Sequence, residues 1–180
     1  MNRRKNMQQI NIRKVEKTDS NQIINLMKKL SVQTKYMLRE LDEVNDDILE
    51  QEKRIEGMLS DPRTLYLVAV ADTTVIGMII SSSSALSRIK HISDIIIGVD
   101  RAYWSIGVGS KLMEALIKWA EDIGLKRLTL EVVEDNIKAI KLYEKYDFKI
   151  EGTKIADHFI GNDTYLNTIV MGKILDANIL

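Results

Sequence analysis

Residues 95–110 read Ile95-Ile96-Ile97-Gly98-Val99-Asp100-Arg101-Ala102-Tyr103-Trp104-Ser105-Ile106-Gly107-Val108-Gly109-Ser110. A β-branched run gives way to a glycine-bearing turn, and apolar residues then recur at helical spacing from Ser110 onward. A strand that feeds such a turn and opens a helix builds an anion site. The first helical N–H groups have no backbone acceptor and point outward, and the macrodipole adds about half a positive charge there. Gly107 and Gly109 remove the Cβ that would hold a phosphate off the backbone. An ordinary strand-to-helix turn also uses glycine for geometry alone, so the spacing by itself leaves both readings open.

Downstream of this stretch the pattern is regular. Residues 110–123 place Leu112, Leu116 and Ile123 on one helical face, with Gly124 as a stop. A strand is expected over 127–133 and a helix over 137–146, capped by Asp135 or Asn136, then two strands over 148–155 and 165–172. Upstream, a strand over 10–15 precedes a helix that starts at Thr18 or Asp19 and buries Ile23, Ile24, Met27 and Leu30. A second helix over 46–59 stops at Asp61-Pro62. Strands over 65–71 and 75–81, joined by Asp72-Thr73-Thr74, read as a hairpin, and 89–99 as a longer strand. This alternation predicts an α/β or α+β three-layer domain, with parallel pairing between 95–99 and 128–132.

Composition sets outer limits. The 180 residues fit one domain, expected over 10–180, with residues 1–9 as a disordered extension. With no cysteine, disulfides, zinc–thiolate sites and a cysteine nucleophile are excluded, and no metal is expected. Twenty-six basic residues balance twenty-six acidic ones, so no net field draws the chain to nucleic acid or anionic lipid. No apolar run approaches the roughly 20 residues that span a bilayer, and a cytoplasmic protein is the expectation.

Two nucleotide-binding alternatives fail on residues. The dinucleotide fingerprint wants a third glycine where Leu112 stands, and no Gly-Lys-Ser/Thr phosphate loop occurs. Within the strand over 127–133, Thr129 and Glu131 face away from Leu128, Leu130 and Val132. A carboxylate amid an apolar strand needs a partner or a task.

At this point the sequence resembles the GNAT superfamily of acetyltransferases, over residues 91–148 and less specifically over 151–175. The family's coenzyme-binding turn, Arg/Gln-x-x-Gly-x-Gly/Ala, is matched by Trp104-Ser105-Ile106-Gly107-Val108-Gly109. Its later Asn-x-x-Ala-x-x-x-Tyr is matched by Asn136, Ala139 and Tyr143. The resemblance implies an αβα three-layer domain whose central, mostly antiparallel sheet is splayed at a parallel strand pair. It implies acetyl-CoA as acetyl donor and direct attack by an amine in a ternary complex; without cysteine no acetyl-cysteine route exists.

By the same resemblance, backbone groups of Ile97, Gly98 and Val99 pair with the pantetheine arm. Amides of Ser105, Ile106, Gly107, Val108, Gly109 and Ser110 hold the diphosphate, and Asn136 bonds the arm. Tyr143 stands as general acid, and Glu131 occupies a strand position that serves as base in some relatives, although a structural bond across the sheet serves equally. The chemistry asks for such parts, because an alkylamine with a pKa of about 10.4 must lose a proton before attack.

Three departures stand out. Trp104 replaces the usual Arg or Gln, Ser105 replaces a common glycine and should need a conformation open to other residues, and Asp147 replaces a glycine. Trp104 with the tail over 165–172 looks closer to the ribosomal-protein N-acetyltransferase-like branch. His91 and His158 fall in no matching motif and read as solvated or packed. A non-catalytic acyl-CoA-binding module is the competing reading. The acceptor stays open between a small amine and a protein N-terminus or lysine; Asp42, Glu43, Asp46 and Asp47 are one candidate draw for a cation, and edge strands leave a homodimer open.

Overall fold

The computed structural model describes residues 9–179, so the extension expected over 1–9 lies, but for Gln9, outside the described residues. Seven strands form one sheet: β1 (Ile10–Lys14), β2 (Thr64–Ala71), β3 (Thr74–Ser83), β4 (Ile92–Val99), β5 (Arg127–Val133), β6 (Lys149–Phe159) and β7 (Tyr165–Ile174). Their order is β1-β2-β3-β4-β5-β7-β6, and every neighbouring pair is antiparallel except β4–β5. Helices α1 (Ser20–Gln33) and α2 (Ile48–Ser60) cover one face, and α3 (Val108–Asp122) with α4 (Ile137–Lys145) the other.

Alternation along β2 explains the three layers. Leu65, Leu67 and Ala69 pack with Leu112 and Leu116 of α3, whereas Tyr66, Val68 and Val70 pack with Ile23, Leu30 and Ile55 of α1 and α2. A strand buried on both faces must read as a continuous apolar run, and Leu65 to Ala71 does.

The parallel pairing differs from its predicted place. It joins Ile92–Asp94 to Arg127–Thr129 and stops there, so residues 95–99 and 128–132 are not paired as expected. After α3, Gly124 turns at φ 75°, and the amides of Lys126 and Arg127 both donate to the His91 carbonyl, at 3.0 and 3.2 Å. That start sets Ser93, not Ile95, opposite Leu128, a register two residues earlier on β4 than the sequence suggested. Beyond Asp94 the strands part, β4 staying with β3 and β5 with β7.

Helix starts also differ in detail. Asp19 does not cap α1 with its side chain; it takes both Arg13 guanidinium nitrogens, at 2.7 and 2.8 Å, and the Glu16 amide. Asp47 caps α2 by accepting from Leu49 and Glu50, and Asn136 caps α4 with a long 3.4 Å bond from Ala139.

Candidate functional site

Where β4 and β5 part, a cavity of about 910 Å³ opens between the two halves of the sheet. Its β4 edge carries unspent backbone groups. The Asp100 amide bonds to Ile76 on β3, and the His91 carbonyl bonds toward β5. Backbone groups alternate in direction along a strand, so Ile97 and Val99 turn theirs toward the gap. Val99 spends its carbonyl on the Trp104 indole, whose Nε1 donates at 2.7 Å; Ile97 lines the cavity.

The turn after β4 supplies donors. Lys111 is the first residue whose amide bonds back along α3, to the Gly107 carbonyl. Among the described residues, backbone N–H groups 105 to 110 have no acceptor. Such a run of bare donors at a helix start is an anion cradle. Cations stand round it: Lys138 and Lys141 line the same cavity, and Lys145 donates to the Ser110 hydroxyl at 3.2 Å. The Lys138 ammonium lies 4.9 Å from the Trp104 ring, a cation–π distance. The side-chain charge that Trp104 does not provide thus comes from α4.

The glycines divide the work unexpectedly. Gly107 sits at φ 92° with open space about it, as a left-handed entry to α3 requires. At Gly109, by contrast, a Cβ would meet Leu142 at 3.0 Å, so its absence lets α4 approach α3. A Cβ on Gly98 would stand 2.7 Å from Leu30, so that glycine admits α1 to the sheet. Ser105 also departs from expectation: at φ 62° it is left-handed, a conformation that costs a non-glycine residue about 1–2 kcal/mol. Asp147, at φ 64°, is left-handed too, as its place of a usual glycine suggested.

Tyr143 projects from α4 into the cavity and is 6% exposed. Its hydroxyl has no hydrogen-bond partner among the described residues. Burial pushes its pKa well above the ordinary 10, so the phenol stays protonated and can only donate or share a proton. Glu131 lines the opposite side, half exposed, with its Oε1 2.5 Å from the Lys154 ammonium. Ile97, Gly98, Val99, Ser105, Gly107, Val108, Gly109, Ser110 and Asn136 line the same cavity, whereas Ile106 points outward and is 58% exposed.

Sequence reading missed Asp94. It pairs with Thr129 at the last rung before the strands part, and both line the cavity near Glu131. Burial raises its carboxyl pKa, and the charge of Glu131 raises it further. The available signal was alternation, since Asp94, Ile96 and Gly98 share one face of β4. His158 is packed: it is 9% exposed and its Nε2 meets the Lys35 carbonyl at 2.7 Å. The acidic run is structural. Asp46 pairs with Lys28, Asp47 caps α2, Glu43 bonds the Glu40 amide, and none of the four acids lines the cavity.

Residues 27–148 match the model of the acetyltransferase (GNAT) family. The L-amino acid N-acetyltransferase AaaT of Escherichia coli (strain K12) is 32% identical over 120 residues, covering 66% of this chain and 74% of that protein. An acetyltransferase of the GNAT family from Streptococcus pneumoniae superposes with a TM-score of 0.88 at 27% identity, covering 93% of this chain and all 100% of that one. The Salmonella typhimurium protein yncA, solved with its cofactor acetyl-CoA, shares the fold at a TM-score of 0.82 and 18% identity, over 93% and 95% of the two chains. A splayed sheet, a bare-amide turn and a family match over most of the chain agree: the protein belongs to the acetyltransferase (GNAT) family.

Proposed function

We propose that this chain transfers an acetyl group from acetyl-CoA to a primary amine by direct attack within a ternary complex. The observation that carries this reading is one continuous cavity, which runs from the unpartnered amides at 105–110 to the unpartnered hydroxyl of the buried Tyr143. The residues present fit the donor. Bare amides with Lys138, Lys141 and Lys145 about them suit a diphosphate, and the open β4 edge at Ile97 suits an amide-bearing arm. The structure of yncA with its cofactor acetyl-CoA supports the same donor.

Acetyl-CoA, when bound, supplies a thioester carbonyl open to attack and a thiolate that must be protonated as it leaves. The chain's residues serve both needs. Asp94, its carboxyl pKa raised by burial and by Glu131, accepts a proton from the incoming ammonium more readily than an ordinary aspartate. Glu131 is engaged by Lys154, which makes it a tuning charge beside Asp94 rather than the first acceptor. Tyr143 holds a proton in a site where its anion is disfavoured, ready for the departing sulfur.

The likeness to ribosomal-protein-type enzymes rests on Trp104 and the tail, and Trp104 is occupied by the Val99 carbonyl and by Lys138. That engagement serves the donor side of the cavity and favours no protein acceptor. Calorimetry with acetyl-CoA, followed by thiol release across an amine panel, tests the function. Saturable binding with amine-dependent release is expected. Binding without release for any amine would leave a non-catalytic acyl-CoA module, and absence of binding would end the reading.

A further inference from the structure

Asp94 on β4 and Glu131 on β5 are the only acids among the described residues that line the cavity. They share the sheet face opposite α3 and α4, close enough for the Glu131 charge to act on Asp94. Only one of the two is free. Glu131 Oε1 lies 2.5 Å from the Lys154 ammonium, whereas Asp94 has no ion-pair partner among the described residues. Lys154 reaches its carboxylate from β6, over the intervening strand β7. Glu131 pairs with Val170 and Val170 with Gly152, so the β6 position in line with Glu131 has no side chain to meet it. Lys154 stands two residues on, opposite Thr168, and its long flexible stem spans the diagonal. A second ion pair crosses β7 on the same face, Arg127 with Glu151 above Gly172, outside the main cavity. Half-exposed pairs of this kind add little to stability, so the place of Lys154 matters more than the strength of its bond. Other charged or titratable groups near the acids are engaged or enter from elsewhere. Arg127 holds Glu151, His158 meets the Lys35 carbonyl, and Arg39 and Arg54 come from the loop after α1 and from α2.

We propose that Lys154 is a built-in counter-ion that selects the acceptor by its number of positive charges. It fills one of the two cation sites in the cavity, at Glu131, and leaves Asp94 alone to receive an ammonium. An acceptor with one cationic group is then fully matched. A second ammonium finds no free acid and must displace a tethered one. Because Lys154 belongs to the same chain, it competes at an effective concentration that a dissolved amine meets only in the millimolar range. Its hydrogen bond to Glu131, with the charges of Glu131 and Asp157, raises the Lys154 pKa, so Lys154 serves as a cation and not as a nucleophile. The inference rests on the acetyltransferase reading above and adds the residue that sets charge selection. Lys154 touches neither the thioester nor the base; it acts through Glu131, as a positioning residue.

The test compares butylamine with 1,4-diaminobutane, which share a carbon chain and differ by one charge. Thiol release is measured with the purified full chain at saturating acetyl-CoA. The parent should favour the monoamine in kcat/KM per reactive amine. Lys154→Met should raise the diamine-to-monoamine ratio about fivefold, the range of one half-exposed ion pair. Lys154→Arg should keep the parent ratio, and adding Glu131→Gln to Lys154→Met should cancel the gain. For a pair that binds without reacting, Ki against a working amine gives the same ratio. A second readout needs no turnover: the side-chain carboxyl signal of Asp94, followed by NMR against pH. In Lys154→Met the Glu131 charge acts on Asp94 unopposed, so the Asp94 midpoint should move to higher pH. The double variant should show no such move. A parent preference for the diamine, an unchanged ratio in Lys154→Met, or an unmoved Asp94 midpoint would overturn charge selection while leaving acetyl transfer standing. Thiol release with no amine of a wide panel would instead remove the acetyltransferase reading and charge selection with it.

Discussion

The Trp104 indole N–H donates to the Val99 carbonyl at 2.7 Å, tying the turn back to the end of β4. Val99 faces the gap between β4 and β5, so this bond occupies a carbonyl that would otherwise compete for a ligand there. It also fixes the ring over which Lys138 sits.

Trp104→Phe keeps a ring for Lys138 and removes the donor. One neutral hydrogen bond is worth about 1 kcal/mol, so the KM for acetyl-CoA should rise about fivefold. Lys138→Met should weaken acetyl-CoA binding and flatten its dependence on salt, as read by calorimetry at two ionic strengths. Unaltered affinity in both variants would leave diphosphate binding to the backbone alone.

Tyr143→Phe removes a hydroxyl that makes no hydrogen bond among the described residues, so the fold has little to lose. Turnover should fall about a hundredfold, within the range typical of a general acid, and acetyl-CoA affinity should stay near that of the parent. Stopped-flow thiol release with parallel calorimetry separates the two. Parent-like turnover would remove Tyr143 from the proton path.

Asp94 should set the acid limb of the pH–rate profile. Its raised pKa keeps the carboxyl protonated to higher pH, so as pH is lowered kcat/KM should fall with a midpoint above the ordinary aspartate value of 3.8. Asp94→Asn should cost about a hundredfold in kcat/KM. Glu131→Gln removes a negative neighbour, which lets Asp94 lose its proton more easily, and the limb should move to lower pH. A loss in Glu131→Gln as deep as in Asp94→Asn, and deepest at low pH, would make Glu131 the base.

Acid stability should depend on Asp100, which joins α1 to the end of β4. It is 4% exposed and accepts from the Lys29 ammonium, from Gln33 at 2.9 Å and from the Ala102 amide at 3.1 Å. Burial alone would raise its pKa, but these bonds together outweigh burial and lower it. A lowered carboxyl stabilises the fold above its unfolded pKa, near 3.8, and loses that contribution as pH falls through the folded value. Asp100→Asn should therefore cost about 2 kcal/mol at neutral pH. The gap to the parent should close toward pH 3, in urea titrations. A gap of constant size would mean that Asp100 acts through shape and not charge.

Elements with strong local signals were legible in the sequence. Arg127–Val133 alternates cleanly and forms a strand with those bounds, and Asn136 caps α4. Features set by partners distant in the chain were not. The register of β4 on β5 depends on the His91 carbonyl meeting two amides thirty-odd positions later, which no local pattern encodes. Gly98 and Gly109 look like glycines for a ligand, yet they answer to Leu30 and Leu142, residues visible only after packing. Asp94 was hidden because a single aspartate among isoleucines has no motif. The acids at 42–47 looked like an attractant because their caps and pairings form only in the fold.

The three-rung seam between β4 and β5 has a mechanical meaning. Four strands on one flank and three on the other are stitched only at one end of the slot, like two leaves of a book held at the spine. Whatever lies in the slot touches both leaves at once and works as a clasp. Melting temperature and amide exchange at the free margins of Ile97 and Glu131 should then report occupancy together, so that folding and loading are two measures of one equilibrium.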